Sequence, residues 1–479
     1  PNDPTHISVS LGQLSPGIYT VAWKTLSRTD GHEWYGSFPF TVLNSDGTRP
    51  DGTAAVLNLE TRSELPTLLQ TISRWLTLMG GILFLSVPLF FNLILTGLTN
   101  SSEADQLKGR LNDLAIKIVT LSVLTVILGS WLQIALQATH LESLTLLPRL
   151  IYGTHTGALI LSRQALVLPG LLLLNGHKRW LFISAAIYET GILLLCVISG
   201  MQGEVIAYYT ALVVTSIIFA WGKYKNSGTN QKWNSLLILG LITLLYFSLG
   251  SHAGAVTGSF WAILSDYIHL LATSAWVGGL MLLPLVLDSI RGYSPTLDRD
   301  MLGQLFRRYG YMAKLSFFLL LTTGVFNSLI QFPTFASIVN TSYGRVLLIK
   351  LILVFAVWGI SLLSTRILRR KADPSLFPAN LQRFIKHVST AALISLLLMF
   401  AISVLVQTQP PSSSKINSLA SGLSYNNIIQ GDDLSIHVQV TPNQVGINQF
   451  FVHLFHEDGS PSGDVQLVRL LFNYEDAQI

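Results

Sequence analysis

The sequence predicts a mainly α protein: a polytopic transmembrane helical bundle of about ten spans, flanked by two extracytoplasmic β-sandwich-type domains, both incomplete. Three observations predict it. The 479 residues are 50% hydrophobic and only 11% charged, against roughly 25% charged in soluble domains. Apolar runs recur from residue 68 to residue 407, and a helix needs ~20 apolar residues to cross a bilayer. Basic residues then fall almost wholly in alternate loops, as the cytoplasmic bias of Lys and Arg requires. A net charge of +5 is weak ground for a nucleic-acid partner, and none is expected; the bilayer is the partner that composition demands.

Residues 1–43 read as strands. In PGIYTVAW, Ile18, Thr20 and Ala22 alternate with Tyr19, Val21 and Trp23, and GSFPFTVL follows after a turn. So few short strands enclose no core of their own, so this is the end of a β-sandwich. The chain opens PNDPTHISVS, with no initiator Met or signal peptide, and reads as a mature piece or a fragment. Residues 44–67 are a polar, Gly/Pro-punctuated linker.

The membrane domain occupies residues 68–407. Its ten apolar runs lie at roughly 69–97, 114–137, 150–174, 180–199, 205–221, 233–250, 260–287, 311–332, 345–365 and 387–407. Loops after odd-numbered runs hold seventeen Lys and Arg; loops after even-numbered runs hold Arg149 alone, with Arg345 at a span's edge. A miscounted span would scramble that alternation, so both termini are expected outside the cytoplasm. Residues 408–417 are a second linker. Residues 418–479 read as an extracytoplasmic Ig-like β-domain, cut short: DLSIHVQV puts Leu434, Ile436, Val438 and Val440 on one face, and HEDG and SPSG are turns. His437 and His453 fall on the opposite face and, with His456, read as ordinary exposed residues. Cys196 is the only cysteine, so no intrachain disulfide staples either domain.

The stretch that carries chemistry is DYIHLLATSAWVGGL, in the seventh run. Asp266 and His269 share a helix face, with Thr273 one turn beyond. Polar groups at membrane depth usually face a bundle interior or an aqueous path. His252, in SLGSHAGAVTG, stands at the outer end of the preceding run. His155 lies about six residues into the third run, ~9 Å deep, and His269 about nine into the seventh, ~13 Å deep, at 1.5 Å per residue. His140 is in an outer loop, and His177 and His387 sit in basic inner margins, facing headgroups. A lone membrane histidine is usually a helix–helix hydrogen bond; Asp266 and His269 together, with His252 nearby, read instead as a metal site filled from outside. Carboxylate with imidazole suits Cu(II), Zn(II) or a haem-type iron. Cu(I) would prefer sulfur, and the chain has one Cys and six scattered Met.

Other intramembrane charges read as structural. Arg163 and Glu189 stand on consecutive spans as a pair, Arg74 snorkels outward, and Lys350 approaches Asp266. Trp276, Gly278 and Gly279 permit close helix packing, and Lys117 and Lys314 snorkel. Outside the membrane, SRTDGHEWYG carries Asp30 and His32 two residues apart, on one side of an extended segment. Asp-Gly is also the commonest hairpin turn signal, so the metal and turn readings both stand. No nucleotide-binding loop or Asp-Lys-Thr-Gly-type motif occurs, and the chain is expected to be neither an enzyme nor an ATP-driven pump.

These residues carry a resemblance. PGIYTVAWKTLSRTDGHEWYGSFPFTV resembles the C-terminal part of the CopC copper-binding domain. HAGA at 252–255, DYIHLLATSAWVGGL at 266–280 and TSYGRVLLIK at 341–350 resemble CopD, and the arrangement is similar to YcnJ-type fusions of the CopC/CopD copper resistance family. The resemblance implies copper transport and homeostasis at the bacterial inner (plasma) membrane. Cu(II) would be captured outside by Asp30 and His32, with further ligands from a mature N-terminal histidine that this sequence lacks. The ion would pass to His252, Asp266 and His269, with His155 as a further ligand, and then inward; a periplasmic copper-binding protein is an expected partner. Two rival functions stay open: a b-type haem electron-transfer protein using His155 or His252 with His269, and a non-transporting copper sensor or tether.

Overall fold

The computed structural model describes Gly12 and residues 14–26, 33–42, 44–46, 65–96, 102–140, 147–152, 154–175, 179–198, 209, 212–214, 229–251, 260–291, 299–332, 335–369, 377–408, 410–411, 425–430, 434–441 and 449–456. The chain divides into two compact units, and the larger holds residues 59–410, hence every membrane helix.

That unit is built from α1 (Leu68–Phe90), α2 (Ser102–His140), α3 (Leu147–Tyr152), α4 (His155–Asn175), α5 (Arg179–Ile198), α6 (Thr229–Leu249), α7 (Phe260–Thr273), α8 (Gly279–Arg291), α9 (Arg299–Gln331), α10 (Ala336–Asn340), α11 (Ser342–Arg369) and α12 (Phe377–Gln407). Among the described residues, eight helical stretches are long and apolar enough to cross a membrane, at 68–95, 109–139, 156–174, 231–249, 260–289, 302–331, 342–366 and 380–407. The fourth predicted run is the 20-residue helix α5. The fifth lies outside the described residues, apart from 209 and 212–214.

The third run differs from expectation. It is two helices, because Thr154 opens a new one: its hydroxyl accepts from the Gly157 N–H at 3.0 Å, capping α4. His155 is therefore the first residue of α4, not a residue two turns inside a span. Thr67 caps α1 in the same way, in a reciprocal box with Gln70.

Helices α4 and α1 are the most enclosed, with 83% and 78% of their apolar stretches buried, against 11% for α9 and 17% for α11. Phe84, Leu85 and Ile82 on α1 are almost wholly buried. Helices α9 and α11 instead present Leu315, Phe318, Leu329 and Ile352 outward, which costs nothing against lipid tails. Helices α7 and α8 are one span joined by a π-turn, Ser274–Gly278. A π-turn leaves carbonyls without helical partners, and neighbours supply donors. The Ser86 hydroxyl reaches the Ser274 carbonyl at 2.8 Å, and Tyr309 donates to the Trp276 carbonyl at 3.0 Å. Gly278 makes the first contact possible, since a Cβ there would lie 1.8 Å from Ser86 Oγ.

Outside the bundle, β1 (Gly17–Leu26) and β2 (Glu33–Val42) form a two-stranded sheet, and β3 (Tyr425–Gln430), β4 (Leu434–Thr441) and β5 (Gln449–His456) a three-stranded antiparallel one. The β4–β5 register sets His437 opposite His453 and Ile436 opposite Leu454, and His453 is exposed.

Candidate functional site

A cavity of about 150 Å³ opens at the end of the bundle where α1, α7 and α11 begin and α6, α9 and α12 end. Antiparallel pairing brings these ends together. Early α7 meets late α9 through Ser265 and Asn327, whose side chains bond at 2.8 Å, and Ser248 of late α6 donates to the Ile263 carbonyl at 2.9 Å. The polar lining comes from Asp266, His269 and Thr273 of α7, Ser251 after α6, Asn327 of α9, and Tyr343 and Lys350 of α11. Leu78 and Ile82 of α1 and Ile402 and Leu405 of α12 supply apolar walls.

Asp266 and His269 thus line one cavity, as their spacing predicts. The Asp266 carboxylate accepts from the Ser251 hydroxyl at 2.9 Å, and both Lys350 and Arg74 attract it electrostatically. Lys350 lines the same cavity as Asp266. His269 Nδ1 lies 2.9 Å from Thr323 Oγ1. That hydroxyl has one hydrogen and directs it to the Leu319 carbonyl, so it accepts from the imidazole Nδ1–H. The assignment leaves Nε2 of His269 with its lone pair free, the form in which a histidine ligates a metal. Gly324 packs against the ring, where a Cβ would sit 3.6 Å from Cε1.

The sequence did not single out Thr323, Ser251, Asn327 or Met399. The signal for Thr323 and Asn327 was there: hydroxyl and amide residues four apart in an otherwise apolar run. Met399 on α12 is buried and lines the same cavity, although no Met-rich motif marks it. Of the other predicted ligands, Asp30, His32 and His252 lie outside the described residues, and so does the side chain of His155. Among the described residues no group of three or more His, Cys, Asp or Glu is placed to hold a metal; Asp266 and His269 stand as a pair.

Three predicted roles are corrected. Arg163 and Glu189 do not pair: Arg163 donates from Nε to the Leu159 carbonyl at 3.2 Å and lies 4.5 Å over the Phe247 ring, while Glu189 accepts from the Tyr209 hydroxyl. Each finds a nearer partner than the neighbouring span offers. Arg74 does not snorkel. It is buried, with Nη1 3.4 Å from Gln133 Oε1 and Nε without a partner, because close α1–α2 packing at Gly129, where a Cβ would meet Thr77 Oγ1 at 2.5 Å, closes over it. His387 is half-buried with an unpartnered Nδ1 rather than facing headgroups. Lys117 and Lys314 are exposed, as expected.

Comparison with known proteins finds the same two families, with the CopD match covering the 341–350 stretch and not 252–255 or 266–280. Residues 1–43 match the CopC domain, and residues 303–406 match the family Copper resistance protein D (CopD). The chain is similar to "Copper transport protein CutJ" of Bacillus subtilis (strain 168), with 24% identity over 462 residues covering 95% of this chain and 72% of that protein. No solved structure matches it. The two family matches and eight apolar helices on one chain point to a multi-pass membrane protein.

Proposed function

We propose that this chain, with its CopC domain at the N-terminus and CopD region toward the C-terminus, carries copper ions inward across the bacterial inner membrane, with both termini outside. Copper is the cargo. Cu(II) is captured outside by Asp30 and His32, received in part from a periplasmic copper-binding protein, and passed to the cavity at Asp266 and His269, with His252 and His155 completing the ligand set. No bond is made or broken in the cargo, so the protein is not an enzyme.

One observation carries the reading: Asp266 and His269 line a single cavity, and His269 is oriented by Thr323 so that Nε2 is free. Carboxylate oxygen with imidazole nitrogen is a donor set for Cu(II), and a hydrogen bond behind a ligating histidine fixes ring and tautomer. Lys350 stands opposite Asp266 in the same cavity, holding the carboxylate's charge balanced until a metal cation takes that role. The loop charges support the orientation, seventeen basic residues against one.

The test is copper accumulation in cells together with the metal content of the purified chain. His269→Ala and Asp266→Ala are each expected to lower accumulation at least ~10-fold at unchanged expression, the scale of losing a metal ligand or its support. Unchanged accumulation in both would overturn transport through this cavity. A haem absorption band from the purified protein, lost in His269→Ala, would favour electron transfer instead.

A further inference from the structure

We propose that Arg74 and Arg163 form a binding site for an oxyanion, a phosphate group either free or on a lipid, within the bundle at the end where α1 and α4 begin. The two helices run parallel, since both pack antiparallel to their shared neighbour α6: Phe247, late in α6, lies against Gly81 of α1 and beneath Arg163 of α4, and Leu236, early in α6, meets Gly170. Deeper in the bundle Phe84 of α1 also meets Gly170 of α4. Arg74, ten residues before Phe84, and Arg163, seven before Gly170, therefore reach the same end, and the two cations act on each other electrostatically.

The donors there lack acceptors. Arg74 spends Nη1 on Gln133, while its Nε is buried with no partner. Arg163 spends Nε on the Leu159 carbonyl, and among the described residues its two terminal nitrogens make no hydrogen bond. One guanidinium thus offers its side edge and the other its end, the two forks that match oxyanion geometry. The Nε2 amide nitrogen of Gln164 is buried and unpartnered as well.

Charge points the same way. Among the described residues Asp266 is the one carboxylate that acts on Arg74, and Lys350 shares it. Glu189, committed to Tyr209, acts on neither arginine. Two buried guanidiniums and a half-buried Lys350 against one carboxylate is a costly arrangement at membrane depth, and an anion between the guanidiniums relieves it. Arg74 lies six residues into α1, ~9 Å below the helix start, within reach of a drawn-in headgroup or of a free ion entering from that side.

The experiment uses the full chain, purified in detergent, without copper. Inorganic phosphate is titrated against sodium chloride at matched ionic strength and read by thermal unfolding. Retained phosphatidylglycerol is read by native mass spectrometry. A free-ion site gives a saturable, phosphate-specific rise in Tm, and a lipid site gives a retained lipid adduct with no phosphate response. In either case Arg163→Gln and Arg74→Gln are expected to weaken the response at least tenfold, and Arg163→Lys, which keeps charge but loses the fork, to weaken it to a lesser degree. Should either glutamine variant fail to fold, Arg163→Lys against wild type decides. Wild type and variants that respond alike to both probes, or not at all, would overturn the proposal, and the copper reading would be untouched because no copper enters the measurement.

Discussion

The bundle holds two polar regions at one end, and they are built on opposite plans. Around Asp266 and His269, donors and acceptors alternate about an open cavity: Ser251 serves Asp266, Thr323 serves His269, and Asn327 serves Ser265. Around Arg74 and Arg163, the side chains are buried and donors are left without acceptors. A protein that merely tolerated buried polar groups would satisfy both regions alike, because an unpaired polar atom in a membrane interior is expensive. The first region pairs its polar groups around open space, whereas in the second buried donors are left over.

The sharpest way to break that contrast, after removal of the two ligands themselves, is Thr323→Val. It keeps shape but removes the acceptor for His269 Nδ1–H. The ring then loses its tautomer and orientation, and copper affinity of the purified chain is expected to fall about tenfold or more. Phosphate or lipid binding at Arg74 and Arg163 should not change. If copper binding survives intact, Thr323 is helix packing and no support for a ligand.

Next in size is Gly278→Ala. The new methyl would sit 1.8 Å from Ser86 Oγ, so α1 and the π-turn between α7 and α8 must part. Overpacking of this kind costs about 1–3 kcal/mol. Thermal unfolding in detergent should show it, whereas Gly359→Ala, with nothing within 4 Å of its Cβ, should leave Tm unchanged or slightly raised. Because the same π-turn sits directly after Thr273 of the cavity, copper accumulation should fall along with stability. The response to phosphate or lipid at Arg74 and Arg163 should be unchanged.

Much of this was legible in the sequence, and the limits have physical causes. Apolar runs and basic loops announce spans because the bilayer imposes length and the cytoplasmic bias imposes alternation. Asp266 and His269 were legible because three residues of spacing fixes a shared helix face, whatever the fold. Lys350 was placed against Asp266 from depth alone, and the cavity holds both. Thr323, Gln133 and Met399 were not singled out, since their roles depend on which helices meet, and pairing between distant spans leaves no periodic trace. Arg163 with Glu189 was misread for that reason: consecutive spans suggest partners, but the rotation of α4 turns Arg163 to Phe247 of α6. Arg74 was misread because snorkelling needs a free path, and the Gly129 contact between α1 and α2 closes it.

The smallest effect tests whether the arginine side also contains plain structural wiring. Trp131 donates to the Tyr188 hydroxyl at 2.7 Å, and Tyr188 donates to the Gln164 amide oxygen, a chain joining α2, α5 and α4. Tyr188→Phe removes the middle link and strands the indole N–H and the amide oxygen. Interhelical hydrogen bonds in membranes are worth about 0.6 kcal/mol on average, so two lost links should cost about 1 kcal/mol, read as a small drop in Tm with copper accumulation unchanged. Anion binding should be preserved as well, because Gln164 would still offer Nε2, the donor that faces no partner now. A fall in anion response as large as that of Arg163→Gln would mean the hydroxyl chain orients the arginine site, and the two halves of this end of the bundle would then be divided at α4 rather than at α1.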